Sequence, residues 1–215
     1  MPLIKKEFYR YVFNNYRHSN LSLNTSFSFS LVFSCKKTGK GRLEKVKELN
    51  ILLERTFGLV SQEPDGIYPN LRGKVDGVKI AVDVYMQSYA RSEQGRGERP
   101  WMRVRAELPS QPNIQVQLRG QKYSNIPSKA TGWIEKKEGY PPFDQKHTLF
   151  IKEGTSSEEA LSPAVREALI AANPPVAILG KVVSWMKKGT EHSPELIRDA
   201  VYSCSSVASA IIENS

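Results

Sequence analysis

Residues 71–87, LRGKVDGVKIAVDVYMQ, decide the fold because they predict a β-hairpin. From Val78 to Met86 every second residue is apolar, which is the period-2 pattern of a strand with one buried face. Asp76-Gly77 stands between this segment and the shorter strand before it, and that dipeptide suits a two-residue hairpin turn with positive φ. The stretch therefore predicts two antiparallel strands joined by a tight turn.

More strands are predicted downstream of this hairpin. Residues 101–108, Ile114–Leu118 and His147–Lys152 alternate polar and apolar side chains, and residues 176–186 predict a second hairpin with a glycine turn. The connections between the first strands contain no crossover helix, so an antiparallel sheet with one face open to water is predicted. Residues 88–100, SYARSEQGRGERP, are polar and glycine-bearing, which predicts a long loop.

Three amphipathic helices complete the predicted domain. Residues 43–57 place apolar side chains at three- and four-residue steps. Ser162-Pro163 and Ser193-Pro194 each combine a capping serine with a proline at the first helical position, which starts two later helices. Because the strands are grouped rather than alternating with helices, the fold class is α+β, a mainly antiparallel sheet packed against amphipathic helices. Residues 42–215 are predicted to form this single domain.

Residues 1–41 form a basic arm whose status the sequence leaves open. Residues 1–60 hold 11 of the 31 Lys and Arg but only 4 of the 22 Asp and Glu, so most of the net charge of +9 lies there. Residues 26–31, SFSFSL, alternate and predict a strand with one apolar face. The order of basic and then apolar residues also fits a signal or an anchor. A misassigned start, which would make the segment foreign to the fold, is the further alternative.

Composition favours a cytoplasmic protein without a cofactor. No stretch reaches the roughly 20 consecutive apolar residues of a transmembrane helix, although anchoring through the N-terminal segment is an alternative. Cys35 and Cys204 lie in unlike contexts and imply neither a disulfide framework nor a zinc site. Cys204 falls on the apolar stripe of the last helix and is predicted to be a buried hydrophobic residue. We expect no metal.

The sequence carries no recognised catalytic motif. It lacks the spacing of a P-loop, and no GxGxxG follows a strand. The three histidines, His18, His147 and His192, lie in contexts typical of ordinary surface or half-buried residues. We therefore expect a protein that is not an enzyme. The alternative is a hydrolase with an unrecognised site built from His147 and Asp144.

The water-facing side of the predicted sheet carries cations and a tyrosine. Lys79 and Tyr85 lie on one strand, and Arg103 and Arg105 lie on the next. Such a face contacts phosphates and stacks bases, so these four residues are the candidate nucleic-acid-binding residues. The simpler interpretation is a solvated face in which Arg103 or Arg105 pairs with Asp83 across the strands.

Several segments together resemble a group of uncharacterised bacterial α+β proteins, some of which carry the domain behind a membrane segment. They are the hairpin LRGKVDGVKIAVDV, the strand FDQKHTLFIKEG and the helix start LSPAVREAL, followed by a short hairpin and a terminal helix. The resemblance covers roughly residues 42–213. It implies the α+β fold and an N-terminal anchor or its remnant, and it implies no activity or site residues.

These observations favour a non-enzymatic binding or scaffold module with a protein partner. Its candidate contact surfaces are the exposed sheet face and residues 88–100. The second hypothesis is nucleic-acid or polyanion binding through the basic N-terminal arm and the sheet face. The hydrolase is the third hypothesis.

Overall fold

The computed structural model describes residues 25–91, 95–121, 127, 129–156, 161–190 and 192–214, with side chains described outside residues 25–40 and 89–96. The chain divides into two compact units, residues 1–41 and residues 42–215. The larger unit contains an antiparallel sheet and the helices that cover it, which confirms the predicted α+β class.

Nine strands of the described residues form one sheet. In chain order they are β1 (Val60–Ser61), β2 (Leu71–Val75), β3 (Val78–Arg91), β4 (Gly95–Glu107), β5 (Ile114–Leu118), β6 (Trp133–Lys136), β7 (His147–Lys152), β8 (Ala177–Leu179) and β9 (Val182–Lys188). All pairs of neighbouring strands are antiparallel, and the order across the sheet is β1-β2-β3-β4-β9-β8-β5-β7-β6.

Four α-helices belong to the described residues. They are α1 (Thr25–Phe57), α2 (Pro141–Asp144), α3 (Pro163–Ala171) and α4 (Pro194–Glu213). The predicted caps of α3 and α4 are confirmed, because Ser162 Oγ accepts from the Val165 N–H at 3.4 Å and Ser193 Oγ from the Leu196 N–H at 3.2 Å. None of the helices in the described residues has both the length and the hydropathy to cross a bilayer.

The predicted β2–β3 hairpin is confirmed in its turn and its register. Asp76 and Gly77 both have positive φ, 49° and 81°, as a two-residue turn between twisted strands requires. Pairing runs from Val75↔Val78 to Leu71↔Val82. The apolar residues of both strands therefore point to the same face and enter the core.

The core lies on one face of the sheet, beneath the helices. α4 packs across β3, β4 and β9, and α3 packs against α4. Cys204 of α4 is fully buried with its Sγ 3.8 Å from the Val104 carbonyl oxygen, which confirms its predicted place in the core. Leu49 and Leu53 of α1 belong to the same apolar cluster, and Phe57 meets Tyr202 edge-on with ring centroids 4.7 Å apart.

The predicted loop at residues 88–100 is wrong. β3 and β4 continue through this polar stretch in unbroken register as far as Arg91↔Gly95. Backbone hydrogen bonds hold such a ladder, and they do not depend on apolar side chains. Pro100 is compatible with β4 because its backbone hydrogen-bonding groups point away from β3. Its carbonyl oxygen accepts from the Gly189 N–H at 2.9 Å, and the N–H that proline lacks would point to the same side, so no hydrogen bond to β3 is lost.

The predicted strand at residues 26–31 is also wrong, because α1 already begins at Thr25. A strand must find a partner for its backbone groups, whereas a helix that has formed adds one hydrogen bond with each further residue. The amphipathic helix predicted for residues 43–57 provides such a template. The helix therefore includes these six alternating residues.

Candidate functional site

The side of the sheet opposite the core is its open face. In the described residues, the buried helix side chains of the core cluster pack with the other side, which carries Ile80, Val82 and Val104. The paired residues between them alternate to the open face. Its residues Arg72, Lys79 and Tyr85 on β2 and β3 are exposed, whereas Gln117 and Phe150 on β5 and β7 are buried. Its described cations are Arg72, Lys74, Lys79, Arg99, Arg103, Arg105, Lys152 and Lys188, and its described carboxylates are Asp83, Glu107 and Glu135.

The cations concentrate on one half of this face. Six of the eight lie on β2, β3 and β4, where Asp83 and Glu107 are the opposing carboxylates among the described side chains. The chain beyond residue 41 has 24 Lys and Arg against 21 Asp and Glu, a net charge of +3. The described side chains of the open face alone carry eight cations against three carboxylates, an excess of five. The open face is therefore a basic side of the domain.

Three arginines converge on Asp83 at the centre of the basic half. Arg103 Nε donates to Asp83 Oδ1 at 2.8 Å and its Nη2 donates to Oδ2 at 3.2 Å. Arg105 Nη2 donates to Oδ2 at 2.5 Å, and Arg72 Nη2 reaches the same oxygen at 3.4 Å. We call these four residues the arginine cluster. It confirms the predicted pairing of Asp83 with Arg103 or Arg105, and both arginines take part.

The arginine cluster keeps Asp83 ionised and still has positive charge in excess. Burial by itself would raise the pKa of Asp83, but the hydrogen bonds and charge of Arg103, together with those of Arg105, hold the pKa below its usual range. One carboxylate against three guanidinium groups leaves a net +2. The side chains of Arg72, Arg103 and Arg105 are 44%, 24% and 27% exposed, so this charge is open to solvent.

Two aromatic residues adjoin the arginine cluster. Tyr85 on β3 and Trp101 on β4 are directly opposed in the register and lie on the open face. Tyr85 is 42% exposed, and the guanidinium of Arg103 lies over its ring at 5.2 Å from the centroid. The basic half of the face therefore combines a fixed cation cluster with an accessible aromatic ring.

The structure brings together three of the four predicted binding residues. Tyr85, Arg103 and Arg105 are neighbours, whereas Lys79 is separate, with its Nζ 4.0 Å from Glu107 and its side chain 70% exposed. Sequence reasoning missed Arg72 and Trp101. Trp101 could have been found from the alternation that already included Arg103 and Arg105. Arg72 required the register of the hairpin.

The structure gives no support to a catalytic pair of His147 and Asp144. The His147 ring is fully buried, and it stacks on Phe143 with centroids 4.9 Å apart. Backbone groups of Phe143 and Val176, rather than a carboxylate, are the hydrogen-bond partners that act on the pKa of this ring. The Asp144 carboxylate instead accepts the N–H groups of Glu138 and Gly139 at 3.1 and 3.0 Å. Burial lowers the pKa of His147 to about 4, so the ring is a neutral core residue at neutral pH.

Cys204 and His192, the cysteine and the other histidine with described side chains, also pack against the core and neighbouring rings rather than forming a reactive site. Cys204 is completely buried, and burial raises the pKa of its thiol, so the thiolate is not available. His192 meets Trp185 edge-on at 6.0 Å, and burial followed by the charge of Lys187 lowers its pKa. Within the described part of the chain, no three His, Cys, Asp or Glu side chains are grouped as metal ligands would be.

A shallow groove of about 280 Å³ runs between α3 and α4. It is lined mostly by alanine and serine, with Tyr202 and Asp199 among its polar groups. Asp199 is already paired with Arg198 at 2.9 Å. The other polar residues of its lining are Asn173, Ser203 and Ser206.

Comparison with known proteins identified no relative. No protein-family model, no curated protein and no solved structure matches this chain. The resemblance to uncharacterised bacterial α+β proteins therefore stays a prediction. Any function is inferred from the residues of the chain itself, and the arginine cluster is the strongest feature among them.

Proposed function

We propose that the domain is a non-enzymatic binding module and that the basic half of its open face binds a phosphate-bearing polyanion. The observation that carries this proposal is the arginine cluster, in which three guanidinium groups share the single carboxylate of Asp83. Nearby Lys74 and Lys79 extend the positive surface along β2 and β3.

The geometry of the cluster supports anion binding because its donors are numerous and held in place. Each guanidinium carries five N–H donors, and the four hydrogen bonds to Asp83 use a minority of them. Arginine binds phosphate oxygens through two parallel hydrogen bonds. Because Asp83 already orders Arg103 and Arg105, a phosphate loses less side-chain entropy to them on binding.

A matched pair of charge variants of the full chain tests the proposal. The face variant carries Arg72→Gln, Lys74→Gln and Lys79→Gln, which removes three exposed cations and leaves Arg103 and Arg105 on Asp83. The control variant removes three exposed cations elsewhere, at Lys45, Lys137 and Lys146. Both variants have the same net charge, so a difference between them reports position rather than total charge.

The readout is retention on heparin and the salt dependence of binding to inorganic polyphosphate. We expect the face variant to elute at lower salt and to lose about 2 units from the slope of log K against log salt. The control variant should elute close to wild type. If the face and control variants elute together, the open face is not the binding surface.

The basic arm is tested separately with Lys5, Lys6, Arg10 and Arg17 changed to Gln. A large loss of heparin retention in this variant, with none in the face variant, would assign polyanion binding to residues 1–41 and reject the open face. Losses in both would show that arm and face contribute together.

A further inference from the structure

Tyr85 and Trp101 stand on the open face where β3, among the described strands, is paired with β4 only. Pairing of β2 with β3 ends at Leu71↔Val82, and in the described residues β3 continues beyond it with β4 alone. Tyr85 is 42% exposed, and none of the described strands lies along its outer edge. Trp101 flanks it on the inner side, where Gly189 forms an isolated bridge.

The Tyr85 ring is also held in place. Arg103 joins Asp83 to this ring, since its guanidinium bonds the carboxylate and lies 5.2 Å from the ring centroid. A strand rises by roughly 3.3 Å per residue, so Tyr85 stands about 7 Å from Asp83 along β3. A positive site for phosphate and a flat aromatic surface are thus adjacent on two neighbouring strands.

We infer that the ligand of this face is single-stranded nucleic acid, with an unpaired base stacked on Tyr85 and the adjoining phosphates at the arginine cluster. This inference rests on the proposed function and names its ligand. In a duplex, each base is stacked between its neighbours, so its flat face cannot contact an aromatic ring on a sheet surface. An unpaired base can stack on such a ring. A polyanion without bases would use the arginines and leave the exposed tyrosine without a role.

The test compares three labelled ligands of equal length by fluorescence anisotropy with the full chain. They are an oligothymidylate, the same strand with abasic sugars in place of every nucleoside, and the corresponding duplex. We expect the oligothymidylate to bind ~5- to 100-fold more tightly than the abasic strand, because one stacked base contributes that much. The duplex should not share this advantage.

Substitutions at Tyr85 assign the difference to the ring. Tyr85→Leu keeps an apolar side chain without a π-face and should lose most of the preference for oligothymidylate. It should bind the abasic strand as wild type does, which also shows that the variant is folded. Tyr85→Phe keeps the ring and should keep the preference. An oligouridylate in parallel distinguishes RNA from DNA as the source of the unpaired bases.

The outcomes separate this inference from the proposal beneath it. Equal binding of oligothymidylate and abasic strand, or no effect of Tyr85→Leu, overturns the inference. The polyanion proposal survives that result if the Arg72, Lys74 and Lys79 variant still weakens abasic binding. If that variant binds the abasic strand as tightly as wild type does, both are overturned.

Discussion

Arg103 and Asp83 face each other directly across β3 and β4 and form a two-point contact. Nε of the arginine donates to Oδ1 at 2.8 Å and Nη2 donates to Oδ2 at 3.2 Å. The same guanidinium lies 5.2 Å from the centroid of the Tyr85 ring. One side chain therefore connects the carboxylate at the centre of the basic face to the aromatic surface beside it.

Replacing the central carboxylate should affect stability and binding in opposite directions. Asp83→Asn leaves three arginines without their counter-charge, and we expect the free energy of unfolding to fall by roughly 2–4 kcal/mol. The cluster's net charge rises from +2 to +3, so heparin retention should increase. Urea unfolding and heparin elution measure the two effects. Unchanged stability would contradict the importance given to this cluster.

The matched control for Asp83→Asn is Glu107→Gln. The Glu107 side chain is 56% exposed and its Oε2 lies 4.0 Å from Lys79 Nζ, so its loss should change stability by no more than about 0.5 kcal/mol.

The pH dependence of stability gives a second check on Asp83. Because the folded-state pKa of Asp83 is depressed, its stabilising effect is present above the unfolded-state pKa and is lost as pH falls through the folded-state value. The difference in the free energy of unfolding between wild type and Asp83→Asn should therefore shrink as the pH falls over that range.

His147 should make the fold sensitive to mild acid. Its pKa is about 4 in the folded chain against 6.5 when unfolded, so between these values only the unfolded state binds the proton. The free energy of unfolding should therefore fall by roughly 3 kcal/mol as pH drops from 6.5 to 4. His147→Leu removes this titration. Urea unfolding at a series of pH values measures both chains, and parallel pH profiles would contradict the prediction.

The C-terminal part of α1 should contribute to the stability of the core. Leu53 is fully buried in the apolar cluster, and Leu53→Ala should cost about 2–5 kcal/mol. Ile51 lies on the same helix but is 47% exposed, so Ile51→Ala should cost less than about 1 kcal/mol. Thermal or urea unfolding compares the two. Equal losses would mean that this part of α1 does not pack as described.

Much of the local structure could be predicted because its signals are short-range. The turn at Asp76-Gly77 follows from backbone preferences of two residues, and the caps at Ser162 and Ser193 follow from one side chain each. The candidate site was predictable in part for the same reason. Strand alternation puts Arg103 and Arg105 of β4 on the same face as Asp83 of the neighbouring strand β3. Arg72 joins that site only through pairing of a third strand.

The sequence by itself determined the β2–β3 hairpin, the helix at residues 43–57 and the two capped helices, together with the apolar side of each. These signals depend on residues one to four positions apart. Tertiary structure alone decided that β9 and β8 lie between β4 and β5, that β3 and β4 extend through a polar stretch, and that three arginines meet at one carboxylate. These features depend on backbone groups and charges that are distant in the chain. Such groups become neighbours only when the strands assemble into the complete sheet.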